Sequence, residues 1–552
     1  MQQFTLGVLR LPFRQRYDFR VARSLILRVG AALVLLIVVA AGSSVLTRTT
    51  PADAGAKTTP PCKACEGYAT GQPLQEPNQV FAQNGVLSQI LTVGMSTFEL
   101  GGRTVRSQVY NGQFPGPTLV IEQGDTMNVL LRNRMKAGYL PYGASSKESP
   151  PVFPGQPYAG FPQRLGNVTN LHVHGMHVSP KAPADDALLR IPPGDQFQYR
   201  IQVPETNPPG LYWYHPHVHH YSDMQVGQGQ AGAIIVKGGL DNVPGVAGLK
   251  ERLMVFQNVT VRNGVVASSQ YLTPEHRLIT INGQVQPRID IQPGETQRWR
   301  LLNASYERFL KILPMEGARY WQLSQDATTF AHPKRVGQLW LAPGQRMDVL
   351  VQAGPKVGSF PLVQAAFNQR PTPYGKQPRV QVATLRVSGA SQTPQEIPAN
   401  LLPMRDLRGP EVKIAARHTI RFSQSPPDFF IDGAMFHQHN GEAGPTFVAT
   451  VNTVQEWKIA NDSPEWHSFH IHINDYQVVR RDGKELKGEP EWADSVAIPP
   501  GKTITLRLPF DDFTGTFVFH CHVLVHEDHG MMAIMKVVDR GAPPIVAPET
   551  AP

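Results

Sequence analysis

Hydrophobic and polar residues alternate along much of this chain, and the alternation recurs. Three ten-residue stretches share one pattern: GDTMNVLLRN (124–133), GETQRWRLLN (294–303) and NTVQEWKIAN (452–461). Each has period two and ends in Asn, which predicts a half-buried strand running into a turn. A second signature follows each one: IPPGDQFQYRIQV from Ile191, LAPGQRMDVLVQA from Leu341 and IPPGKTITLRLPF from Ile498. There a Pro-Gly turn opens another alternating strand. Apolar closing strands come third, as AGAIIVK (231–237), VATLRVSG (382–389) and MMAIMKVV (531–538). The first signatures start 170 and 158 residues apart. The same strands in the same order, three times, predict three homologous all-β domains. Gly/Pro-rich joints, KGGLDNVPG and SGASQTPQEIPAN, set the domains at about 80–240, 241–395 and 396–545.

The composition narrows the function classes. At ~150 residues per domain, a chain of 552 holds three or four domains, each able to bury its own core. Three cysteines exclude a disulfide-dense scaffold, and the odd count leaves one without an intramolecular partner. Of the formal net charge of +9, residues 1–63 carry +7, from nine bases and two acids. The remainder is nearly neutral, so a basic groove for nucleic acid loses most of its support.

The N-terminal bases precede an uncharged run at 29–46, VGAALVLLIVVAAGSSVL. A positive flank before an apolar run is the export pattern, so the chain is expected in the periplasm or another extracytoplasmic space. The run nearly spans a ~30 Å bilayer core and would serve as an anchor. The small residues from Val39 to Ser43 fit a cleavage site equally. Residues 1–50 are therefore read as signal or membrane anchor, and 51–79 as a Pro/Thr-rich linker. The linker holds Cys62 and Cys65. Glu66 stands where a haem attachment site needs His, and no βαβ context supports a thioredoxin-like site. A local disulfide in an oxidising compartment is the remaining reading, leaving Cys521 as the free thiol.

Ten of the nineteen histidines fall in four clusters. They are LHVHG (His172, His174), WYHPH (His215, His217), HSFHIH (His467, His470, His472) and FHCHVLVHEDHGMM (His520, His522, His526). Residues i and i+2 of a strand share a face, so each H-x-H aims two imidazoles the same way. The YWYHPH pair lies 21–23 residues beyond Gly194, and the FVFHCH pair 19–21 beyond Gly501. These are one structural position duplicated, with Pro216 where Cys521 stands. The middle domain has only the solitary His276 and His332. The expectation is a metal cluster between domains one and three, with domain two as a spacer. A single H-x-H would read as a surface or core pair; four at matched positions do not.

A closed zinc site needs four ligands, whereas ten imidazoles with a thiolate and a thioether indicate several ions and redox chemistry. His467, Cys521 and His526, with Met531 as weak axial ligand and Met532 as the alternative, match the blue-copper electron-transfer set. Cys521 sits between His520 and His522, which gives electrons a covalent path to the neighbouring cluster.

The four motifs H-x-H-G, H-x-H, H-x-x-H-x-H and H-C-H-x₃-H-x₄-M resemble those of the multicopper oxidases. That family includes laccases, ascorbate oxidase and bacterial periplasmic copper-tolerance oxidases. The resemblance covers about residues 80–540 and implies three consecutive cupredoxin-like Greek-key β-barrels holding four coppers. It implies that His172 and His470 bind the type 2 copper. His174, His215, His217, His472, His520 and His522 would hold the type 3 pair, and His467, Cys521, His526 and Met531 the type 1 copper. The implied reaction takes electrons singly from a small reducing substrate and reduces O₂ to water. Glu527 resembles the family's proton-relay acid. Asp185 and Asp186 are the nearest candidates for a second one, without the usual Asp-Gly context. His177, His219, His220 and His529 match no motif position.

The expected donors are phenols, aromatic amines or metal ions. A dedicated Cu(I) or Mn(II) oxidase is the runner-up. A non-catalytic periplasmic scaffold would have lost ligands, and none of the ten histidines is missing. No methionine-rich insert stands in domain three; the 14 methionines are scattered. The loop FFIDGAMFHQHN (429–440) offers Asp432, Met435, His437 and His439 as a metal-docking surface, against an ordinary polar turn.

Overall fold

The three signatures form the same strands three times in the computed structural model, which describes residues 62–136, 167–267, 277–370, 375–438, 442–443 and 445–541. The first signature gives Thr126–Asn133, Thr296–Asn303 and Thr453–Asn461. The second gives Gln196–Gln202, Arg346–Ala353 and Thr503–Phe510, each antiparallel to its first-signature partner. On its other side each first-signature strand pairs in parallel with an earlier one: Val86–Leu100, Lys250–Arg262 or Ile414–Ser425. The closing strands Gly232–Lys237, Val380–Val387 and Met532–Val538 also lie parallel to a neighbour. This repeated mixed pairing makes three cupredoxin-like Greek-key barrels.

The terminal Asn of the first signature fastens each turn. Asn133 Nδ2 donates to the Asn167 and Ile191 carbonyls, and its Oδ1 accepts the Met135 amide. Asn303 does the same with Arg308, Leu341 and Ser305, and Asn461 with Glu465, Ile498 and Ser463. One buried side chain thus satisfies three backbone groups that the turn would otherwise orphan.

Alternation fills the cores. Thr126–Asn133 buries every second residue, and Val129, Trp299 and Trp457 occupy one equivalent core position. Thr296–Asn303 departs from the half-buried expectation, being buried along its whole length. Its outer face carries Arg298 and Arg300, which pair with Asp241, Glu251 and Asp348. Leu302 joins an apolar cluster with Leu211 and Trp213 of the first barrel. Packing between barrels covers the face that the pattern alone leaves to solvent.

The histidine motifs start in strands of two five-stranded sheets and run past their ends, with His526 on the short helix Leu524–Asp528. His172–His174 pairs with Gly210–His215, placing His172 across from His215. His467–Ile471 pairs with Gly515–Cys521, placing His470 across from His520. Cys62 and Cys65 form a disulfide, and Cys521 is a buried free thiol. The apolar run at 29–46 lies outside the described residues.

Candidate metal centre

Eight imidazoles of the first and third barrels interleave. His172 stacks on His472 and His174 on His470, each with ring centroids 3.8 Å apart. All eight are buried. Three groups emerge: His172, His174 and His470; His174, His215 and His522; and His217, His472 and His520, the ligand atoms within each lying within 4.8 Å. In the last group the Nε2 atoms are 3.0–3.4 Å apart. His174 Nδ1 lies 3.1 Å from His522 Nε2.

The outward nitrogens of four of these rings meet acceptors. His172 Nδ1 donates to Asp185 at 2.9 Å, and His174 Nε2 to Asp494 Oδ1 at 3.1 Å. His215 and His470 donate Nδ1 to the Pro216 and Asp494 carbonyls, both at 2.9 Å. With the proton held on the outer nitrogen, the inner one carries a lone pair. The Nε2 atoms of His172, His215 and His470 have no hydrogen-bond partner among the described residues. Burial first, then the neighbouring imidazoles, holds His172, His174 and His215 well below the ordinary histidine value, and His217 at about 4. These lowered values keep His172, His174, His215 and His217 neutral, the form that binds metal, and the converging nitrogens of the cluster fit cations between them.

The thiol set is separate. His467 Nδ1 and His526 Nδ1 lie 3.3 and 3.6 Å from Cys521 Sγ and 3.0 Å from each other. Burial pushes the Cys521 thiol up to about 12, so a bound cation would have to favour the thiolate. Met531 is buried beside the set, its amide donating to the His526 carbonyl and its carbonyl accepting the Cys521 amide. Ser463 Oγ is 2.6 Å from His467 Nε2, and Phe429 stacks on His526 at 4.1 Å. The donor set of two imidazoles and a thiol suits copper.

Of the candidate acids, Glu527 is buried with Oε2 3.1 Å from His520 Nδ1 and Oε1 accepting from Ser222 Oγ at 3.0 Å. Burial raises its pKa above the ordinary carboxylate value. Asp185 also receives the Val173 amide at 3.0 Å and is raised by burial. Asp186 instead accepts the Leu188 amide in its own turn.

Sequence reasoning missed Asp494, Arg346, Gly344 and Glu465. Asp494 touches His174 and His470 and is held below its ordinary value: burial opposes its charge, but Arg346 overrides it. The only signal was an acid four residues before the Ile498 turn. Arg346 and Gly344 belong to the middle barrel. Arg346 donates to Asp494 at 2.8 Å, and a Cβ on Gly344 would come within 3.0 Å of His174. The middle barrel therefore helps to build the centre and is not only a spacer. Glu465 Oε2 lies 3.3 Å from His526 Nε2 and 3.3 Å from Arg370 Nε. Burial works against its charge, but His526 and Arg370 hold its pKa at about 2.

Comparison with known proteins agrees with this geometry. Multicopper oxidase family profiles match residues 92–140 with 162–240, 257–390 and 411–541. A multicopper oxidase of Staphylococcus haemolyticus is 23% identical over 444 residues, covering 78% of this chain and 83% of that protein. A Bacillus subtilis laccase is 21% identical over 481 residues, covering 78% and 90%. A Campylobacter jejuni multicopper oxidase, described as a metallo-oxidase, superposes with a TM-score of 0.69 at 23% identity, covering 85% of this chain and 96% of that one. With three matched regions spread over most of its length and copper-suited donor sets in its interior, this chain belongs to the multicopper oxidases, enzymes that pass electrons from a reducing substrate to O₂.

Proposed function

We propose that the chain is an exported, laccase-like oxidase whose donors are phenols or aromatic amines. In this reading His467, Cys521 and His526, with Met531, would hold the type 1 copper. His172 and His470 would hold the type 2 copper, and His174, His215, His217, His472, His520 and His522 the type 3 pair. The observation that carries it is the convergence of unpartnered inner nitrogens from two barrels on shared points. When bound, copper supplies one-electron redox chemistry. The protein's own part is to orient His172, His174, His215 and His470 through their outer nitrogens and to exclude water. Glu527, beside His520 and Ser222, is the proton donor, with Asp185 as the second acid.

Export is supported by the basic flank and apolar run at 29–46, which serves as a cleaved signal or an anchor. The domain limits are proposed at 80–240, 241–395 and 396–545. A metal-ion donor is the second reading, favoured by the likeness to the Campylobacter metallo-oxidase. Of its suggested docking loop, Asp432 caps the Arg421 amide at 2.7 Å. The His437 side chain and His439 lie outside the described residues.

The purified protein tests the reading through its copper content, its blue thiolate-to-copper band and O₂ uptake with a dimethoxyphenol beside Cu(I). Four coppers and a blue band lost in Cys521→Ser are expected. A copper-loaded protein without that band would overturn the type 1 assignment. Cu(I) turnover without phenol turnover would favour the second reading.

A further inference from the structure

A cavity of about 970 Å³ opens between the second and third barrels, within the size range of ligand sites. Its aromatic wall is Trp340, Phe367 and Trp466, with ring centroids 5.1–5.6 Å apart. The buried ring of Phe309 packs behind all three. The three front rings are only half-buried, leaving apolar faces against the cavity. Trp466 is peptide-bonded to His467, so a ring resting on it lies one residue from the type 1 set.

The polar lining is biased towards cations. Lys334 is paired with Glu489 and Arg481 with Glu491. Lys311 and Lys487 have no carboxylate partner among the described residues. Two uncompensated ammonium groups beside an aromatic wall complement a flat anion. The edge of the type 1 set at His526 Nε2 is built differently. There, Glu465 and Arg370 fill the space at His526 Nε2 and are each less than one-tenth exposed. Ion-paired side chains in that position leave no apolar surface for an organic ring.

We propose that this cavity docks an aromatic donor carrying a carboxylate or sulfonate, its ring against Trp466 and Trp340 and its anion towards Lys311 and Lys487. The assignment deepens the laccase-like reading and rests on it for the fate of the bound ring, but the binding itself does not require turnover.

Calorimetric titration of 3,4-dimethoxybenzoate, an anionic ring without a phenol, into the copper-loaded protein tests the site. Saturable binding is expected, weakened about tenfold by the double change Lys311→Ala/Lys487→Ala and also weakened by Trp466→Leu. No saturable binding, or equal affinity in the lysine variant, overturns the proposal. In steady state, the ratio of the vanillate KM to the guaiacol KM should rise about tenfold in the lysine variant. An unchanged ratio counts against the site. Calorimetric binding without oxidation of either phenol would support the cavity and overturn the laccase-like reading.

Discussion

Arg346 of the middle barrel donates to Asp494 Oδ1 of the third at 2.8 Å, and the same oxygen accepts from His174 of the first at 3.1 Å. All three barrels therefore meet at one buried carboxylate. Asp326 lies 3.6 Å from the same Arg346 nitrogen and is pushed up to about 7 by burial and by Asp494. Removing the guanidinium leaves Asp494 charged and uncompensated. Arg346→Met should cost about 3–5 kcal/mol, the usual penalty for breaking a buried pair from one side. Thermal unfolding of Arg346→Met and of the double variant with Asp494→Asn checks this, and the second change should recover part of the loss.

Gly344 has φ of +88°, and an added Cβ would meet His174 and His522 at 3.0–3.1 Å. Gly344→Ala carries backbone strain of about 1–3 kcal/mol and also presses on two rings of one triad. Copper content should fall while the blue band, whose ligands lie in the third barrel, persists. Full copper loading at wild-type stability would refute this.

Glu465 places a negative charge 3.3 Å from His526 Nε2. A carboxylate there favours the more positive oxidation state of a metal on the Nδ1 side. Glu465→Gln should raise the type 1 reduction potential, read by spectroelectrochemical titration of the blue band. An unchanged potential would show that Arg370 already cancels the charge.

His177 links the first and third barrels, with Nδ1 2.8 Å from the Ile473 carbonyl and Nε2 2.8 Å from Asp512. Burial opposes its charge, but these partners raise its pKa above 6.5, while Asp512 is lowered below 3.8: burial opposes its charge too, and His177 prevails. The His177 contribution is complete below pH 6.5 and fades as pH rises through the raised value. The Asp512 contribution is complete above pH 3.8 and fades as pH falls through the lowered one. With Asp512 41% exposed, the pair is worth about 1 kcal/mol or less. The Tm difference between wild type and His177→Ala should peak between pH 3.8 and 6.5 and shrink on both sides.

The clustered histidines were legible because period two puts both members of an H-x-H pair on one strand face. The repeat aligns His215 with His520 from the sequence alone. The turn-ending Asn133, Asn303 and Asn461 were visible as strand ends, though not as the clamps they prove to be. Asp185 was a weak candidate among two acids, and only its contact with His172 separates it from Asp186. Glu465, two residues before His467, could have been noticed; its pairing with Arg370 could not.

The sequence by itself determined three like barrels, the paired imidazole positions and the single thiol between two histidines, because these follow from local alternation and internal repetition. Only the tertiary structure decided which rings share a site and that the middle barrel takes part. Arg346 is 148 residues from Asp494, and Asp494 is 320 from His174. No local period records such pairings. They arise when barrels bury their shared faces and each buried charge must find its partner there.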